Sequence, residues 1–188
     1  VQLGMMFVAT VIPGFALVKD SRPEAGLIVV PHEPTAERLS AIRGALARAG
    51  LSMRLLSALG DDSPVDDSVV VADGVGYLAE LYRSGSIAYV GGSFTTGVHN
   101  VMEPAVLRLP ALFGPRIDNS YEARKLVELG SAKVVSTPRD FAREIAALLA
   151  DRSLLDRRGS DAERFIRNHC GAALHCVDLM EKYLERKR

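Results

Sequence analysis

Ile87-Ala88-Tyr89-Val90-Gly91-Gly92-Ser93-Phe94-Thr95-Thr96-Gly97-Val98-His99-Asn100-Val101-Met102-Glu103-Pro104 is a short apolar run, then a loop of three glycines and three hydroxyl residues, then the opening of a helix. Strand, glycine loop and helix in that order is the unit of a parallel α/β sheet. In such sheets ligands bind beyond the carboxyl ends of the strands, where helix N-termini present free backbone N–H groups to an anion. The loop lacks the Gly-Lys-Ser/Thr of a Walker motif and the GxGxxG of a dinucleotide site, so by itself it marks a phosphate cradle of general kind.

The same unit repeats on both sides. Apolar runs at Met5–Ala9, Leu27–Val30, Met53–Ser57, Val69–Ala72, Ile87–Val90, Ala111–Phe113 and Lys133–Val135 are each bounded by Gly, Pro, Asp or Ser, and they predict seven strands in one sheet. Between them, Thr35 to Ala49 places Leu39, Ile42 and Leu46 on one helical face and stops at Gly50; Tyr77 to Arg83 and Tyr121 to Leu129 read alike, the latter stopping at Gly130. Thr137 is an N-cap with Pro138 at the first helical position, and Phe141, Ile145, Leu148 and Leu149 form the buried stripe of that helix. Helical spacing resumes at Leu154, breaks near Gly171, and continues with Leu174, Val177, Met180, Tyr183 and Leu184 on one stripe. The fold class is therefore α/β, an open and mostly parallel sheet with helices on both faces. Residues 1–188 are expected to form one domain, with 154–188 as C-terminal helices.

Composition narrows the function. Twenty-three Lys plus Arg balance 23 Asp plus Glu, which removes the electrostatic case for a nucleic-acid partner. With 48% hydrophobic residues and a mean hydropathy of +0.11, the chain has the profile of a soluble globular domain. Its apolar runs are far too short to span a membrane. Cys170 and Cys176 fit neither a zinc site nor a disulfide framework, and His169 and His175 beside them read as structural. The acidic stretch from Gly60 to Asp67, with Pro64, is a solvated loop. Val1 to Val11 has no basic leader or cleavage site, and an apolar segment directly at Val1 is expected of a portion of a longer protein.

Four strand-to-helix turns form the candidate rim. In the first, Glu103 follows Asn100 by three positions. Its carboxylate is placed to accept both hydroxyls of a ribose, and the same spacing makes an Asn-x-x-Glu capping arrangement that needs no ligand. Spacing alone fits both. His99 is a phosphate donor or a residue pinning the loop. The second turn is Val29-Val30-Pro31-His32-Glu33-Pro34, in which His32 faces a phosphate or a sugar carboxylate, or belongs to a polar turn between prolines. The third, Asp73-Gly74-Val75-Gly76-Tyr77, allows close backbone contact with a flat base. In the fourth, Gly114 to Glu122, Asn119 is either a ligand group or the N-cap of the next helix.

Gly76-Tyr77-Leu78, Leu81-Tyr82, Ala88-Tyr89-Val90-Gly91-Gly92-Ser93, Gly97-Val98-His99-Asn100-Val101-Met102-Glu103-Pro104-Ala105 and Pro110-Ala111-Leu112-Phe113-Gly114-Pro115, followed by Asn119 and Glu122, resemble the C-terminal half of the 3-deoxy-D-manno-octulosonic acid (Kdo) transferases. Pro31-His32-Glu33 is similar to that family's turn on an earlier strand, so the resemblance spans roughly Leu27 to Val135. It implies one Rossmann-like half of a GT-B glycosyltransferase. The implied donor is CMP-Kdo and the implied acceptor a lipid A precursor at the cytoplasmic face of the inner membrane, with peripheral membrane association through the other half. No metal and no other cofactor is implied. The acceptor-binding N-terminal domain, with the carboxylate that acts as base, is not in this chain, so no catalytic residue is expected here. Carried over by position, Glu103 binds the ribose, while Asn100 and the Ser93 to Gly97 backbone, Gly92 included, face the phosphate. Gly74, Gly76 and Tyr77 meet the cytosine, His32 and Glu33 line the donor pocket, and His99, Asn119 and Glu122 complete the substrate-binding set.

Two departures qualify this. The family often carries a Gly-Ser-Thr turn after the first strand of this domain, whereas Val8-Ala9-Thr10-Val11 runs on without it, and Ser93-Phe94-Thr95-Thr96 replaces a more glycine-rich stretch. The competing readings are another GT-B enzyme, a UDP-sugar transferase or UDP-sugar 2-epimerase, and a non-catalytic nucleotide-binding module.

Overall fold

The apolar stretch at the start of the chain is a helix, and this changes the sheet. The computed structural model describes residues 3–60, 69–169 and the single positions 180, 183 and 184. Its helices are α1 (Leu3–Ser21), α2 (Ala36–Arg48), α3 (Leu78–Ser84), α4 (Met102–Val106), α5 (Tyr121–Glu128), α6 (Pro138–Ala150) and α7 (Arg152–His169). Its strands are β1 (Ile28–Val29), β2 (Met53–Leu55), β3 (Val69–Val71), β4 (Ala88–Val90), β5 (Ala111–Phe113) and β6 (Ala132–Val134). Met5–Ala9, expected as a strand, lies within α1. Its short apolar run with Phe7 and Val8 suggests a strand, but the apolar pattern runs on past Ala9, and Val11, Ile12, Phe15 and Val18 are buried at helical spacing. Pro13 sits on the exposed side of α1, where giving up one backbone bond costs least.

Every strand pairing is parallel, but the strands form two three-stranded sheets, ordered β1-β3-β2 and β4-β5-β6, in place of the single sheet expected. One hydrophobic cluster bridges them. Val11, Ile12, Phe15 and Val18 of α1 and Phe141 of α6 pack with Val29, Val69 and Val71 of the first sheet and Leu112 of the second. The neighbours of Leu112 in β5, Ala111 and Phe113, point the other way into a second cluster with Ala105, Ala123, Leu126, Ala162, Phe165 and Ile166. Helices therefore cover both faces of the second sheet.

The predicted boundaries hold where side-chain chemistry sets them. The Thr35 and Thr137 hydroxyls accept the N–H of Arg38 (3.3 Å) and Asp140 (3.1 Å), and Gly50 and Gly130 sit at φ of +72° after α2 and α5. Leu149 departs from its predicted stripe: at 37% exposure it lies outside the core. Near α6, Gly14 of α1 is forced, since a Cβ there would come within 2.7 Å of the Phe141 ring. Gly171, the cysteines and His175 lie outside the described residues, while Met180, Tyr183 and Leu184 of the predicted last stripe are helical and exposed. Among the described residues no helix is long and apolar enough to cross a membrane.

Candidate functional site

A cleft of about 1780 Å³ opens between the two sheets, and the turns at the carboxyl ends of β1, β3 and β4 enter it. His32 and Glu33 follow β1; Gly74, Gly76 and Tyr77 follow β3; Gly92, His99, Asn100 and Glu103 follow β4; all line the cleft. Ser93, Gly97, Asn119 and Glu122 do not; each has a bonding or packing role beside it.

That role is to hold the glycine loop. Ser93 is fully buried and its Oγ accepts the Gly114 N–H at 2.5 Å. Asn119 uses both ends of its amide on one residue, accepting the Val98 N–H (3.0 Å) and donating to the Val98 carbonyl (2.9 Å). It is not the N-cap of α5; Ser120 is, accepting the Ala123 N–H at 3.1 Å and donating to Glu122 at 3.1 Å. Arg116 closes the loop from the same side, its N–H on the Ser93 carbonyl (2.8 Å) and its guanidinium on the Thr95 carbonyl. Gly92, at φ +89°, cannot carry a side chain, because a Cβ there would run into the Gly97 carbonyl and the His99 ring. Gly97, at φ +110°, is excluded from one by the Asn119 amide. The His99 N–H then donates to the Gly91 carbonyl at 3.0 Å, which fixes the imidazole at the mouth of the loop.

The groups facing the cleft are polar and close together. Asn100 accepts the Met102 N–H (2.9 Å) and donates to Glu103 Oε1 (2.9 Å), while the N-cap of α4 is Val101 with no side-chain bond, so the expected capping box is not formed and the Asn100 amide instead holds a carboxylate that lines the cleft. With only five residues in α4, the helix dipole adds little to anion binding here. The His99 and His32 rings lie 6.0 Å apart between centroids. Partial burial first, and the His32 charge second, hold the His99 imidazole below its usual pKa. Glu33 forms an ion pair with Arg38 (2.9 Å) at the exposed edge.

Sequence reading passed over Tyr82 as a site residue. It lies across the cleft on α3, and burial, then the Glu103 charge, raise its phenol's pKa. The signal was present: Leu78, Leu81 and Tyr82 have the spacing of one helical face, and all three line the cleft. Arg38 and Phe94 are further lining residues without a motif of their own.

No protein-family model matches the chain. It is 30% identical over 168 residues to the 3-deoxy-D-manno-octulosonic acid transferase of Haemophilus influenzae, covering 87% of this chain and 38% of that protein. Over most of its length this chain is similar to a Kdo transferase. A shorter stretch of 66 residues is 41% identical to the Kdo transferase of Chlamydia pneumoniae, covering 34% of this chain and 15% of that one. In three dimensions it resembles the C-terminal CMP-Kdo binding domain of WaaA from Acinetobacter baumannii, with a TM-score of 0.73 and 24% identity over 84% of this chain and 81% of that one. At that identity the likeness speaks for the fold. The chain thus spans less than half the length of the Haemophilus Kdo transferase.

Proposed function

We propose that this chain is the donor-nucleotide half of a GT-B glycosyltransferase that moves Kdo from CMP-Kdo to a lipid A precursor in lipopolysaccharide biosynthesis. The observation that carries the reading is the convergence of His32, His99, Asn100 and Glu103 on one cleft beyond the strand ends, in a chain related to Kdo transferases over most of its length. In this reading Glu103, oriented by Asn100, accepts the ribose hydroxyls. The Gly74 to Tyr77 turn lies against the cytosine, and the glycine loop with Asn100 and His99 faces the phosphate. His32 and Glu33 line the sugar side. Ser93, Gly97, Asn119 and Glu122 act from behind, by holding the loop and the start of α5. The base for the acceptor hydroxyl comes from a second domain, which also meets the cytoplasmic face of the inner membrane.

Calorimetric titration of the chain with CMP, UMP, UDP and GDP tests this. The expected result is weak binding with a preference for CMP, weak because the sugar and acceptor sides have no partner domain. A preference for UDP would move the assignment to a UDP-sugar enzyme.

A further inference from the structure

Of the three turns that enter the cleft, two bring it polar groups: His32 and Glu33 after β1, and His99, Asn100 and Glu103 after β4. The third, Gly74-Val75-Gly76-Tyr77-Leu78 after β3, brings no charged side chain, and its one polar side-chain atom is the Tyr77 hydroxyl. A nucleotide is divided in the same way, with a phosphate and hydroxyls at one end and a flat uncharged ring at the other. We infer, on the donor-nucleotide reading, that the Tyr77 ring, seated on Gly74, is the stacking platform for the base of the bound nucleotide.

The seat exists because Gly74 has no side chain. The Tyr77 ring folds back over its own turn, and a Cβ on Gly74 would come within 2.7 Å of Cε2 and 3.4 Å of the hydroxyl oxygen. Glycine therefore lets one edge of the ring settle on the backbone. Close contact with Gly74, which the sequence offers to a flat base, is made on this side by the ring itself. The root of the turn is tied down as well. Asp73 accepts the Ser57 N–H at 3.0 Å and the Ser57 hydroxyl, which fixes the turn to Leu56–Ala58 after β2 and engages the carboxylate nearest to the platform in sequence. The rest of Tyr77 stays open: it is 49% exposed and lines the cleft, with Val75 and Leu78 as exposed apolar shoulders. An aromatic ring held at one edge and open to the cleft suits a flat heterocycle, because stacking removes apolar area from water and asks for no hydrogen bond. For the same reason it does not tell one pyrimidine from another.

Titration calorimetry of the chain and its variants with CMP, UMP and ribose 5-phosphate tests the platform. Tyr77 is the N-cap of α3 without a side-chain bond, so Tyr77→Ala leaves the helix start as it is. This variant is expected to lose about tenfold or more in affinity for CMP and UMP alike and nothing for ribose 5-phosphate, while Tyr77→Phe binds as the parent chain does. Gly74 has no positive φ, so Gly74→Ala strains no backbone and displaces only the ring. Its expected several-fold loss for CMP disappears in the Tyr77→Ala background. In NMR spectra the cytosine H5 and H6 signals are expected to move upfield on binding to the parent chain and not on binding to Tyr77→Ala. Unchanged CMP affinity in Tyr77→Ala would overturn the platform, as would an equal loss for ribose 5-phosphate. A Gly74→Ala loss of the same size with and without the Tyr77 ring would show that the base meets the glycine itself, and would overturn the seat. The donor reading fails separately: a parent chain that prefers UDP, with the loss in Tyr77→Ala retained, keeps the platform and removes CMP-Kdo.

Discussion

Glu103 answers to the Asn100 amide on one side and to the open cleft on the other, so holding the loop and binding a ligand are separable roles of one carboxylate. Glu103→Gln keeps an amide oxygen for the Asn100 donor but removes the charge a ribose diol would meet. Charge-assisted bonds of about 1.5 to 3 kcal/mol are then lost, a drop in CMP affinity of roughly ten- to a hundredfold, at an almost unchanged melting temperature. Unaltered CMP affinity in the folded variant would remove Glu103 from the site. His99 gives a second reading of the same pocket. Its folded pKa lies below the usual imidazole value. As pH falls through about 6.5, the unfolded chain takes up a proton there before the folded one does, so stability is lost from that pH down through the folded pKa. Adding CMP should reverse the direction, because a phosphate beside the ring favours imidazolium. An NMR titration is expected to place His99 below 6.5 in the free protein and higher with CMP; a pKa that CMP leaves unmoved would place the phosphate elsewhere.

α7 depends on a contact that no composition or motif announces. Arg108, in the turn between α4 and β5, has φ of +63°, and Gly159 of α7 lies so close to it that a Cβ would strike the Arg108 carbonyl. Gly159→Ala gains up to about 1 kcal/mol of helix propensity but overpacks the contact at about 1–3 kcal/mol. The net expectation is a melting temperature lower by a few degrees in scanning calorimetry, at roughly 2–4 °C per kcal/mol for a domain of this size. A rise would show that α7 moves aside freely. Caps and stops were readable because they are local chemistry: Thr35, Thr137, Gly50 and Gly130 act within a few residues of themselves. The opening segment was misread for the same reason, since Met5 to Ala9 is strand-like until the burial of Phe15 and Val18 is counted with it. Nor could spacing reveal that Ser93 and Asn119 support the site from behind, because their partners Gly114 and Val98 are 21 positions away.

The cleft lies at the border of the two sheets and is open, and that bears on what the chain does alone. A transfer reaction needs the donor held, an acceptor hydroxyl placed in line, and a base free to take its proton. In the proposed reading this chain supplies the first requirement. Of the donor-site carboxylates, Glu33 is engaged by Arg38 and Glu103 by Asn100, and in the proposed reading Glu103 is committed to the ribose as well. In the proposed reading neither serves as base, and a second domain presents the acceptor. Under the proposed function the 188-residue chain is therefore expected to bind CMP yet give no transfer from CMP-Kdo to a lipid A precursor, whereas the Haemophilus influenzae Kdo transferase, run beside it as a control, transfers Kdo. Product formation followed by mass spectrometry checks both. Turnover by the 188-residue chain would mean that a base lies within it after all, and Glu33→Gln and Glu103→Gln would then be the first variants to identify it.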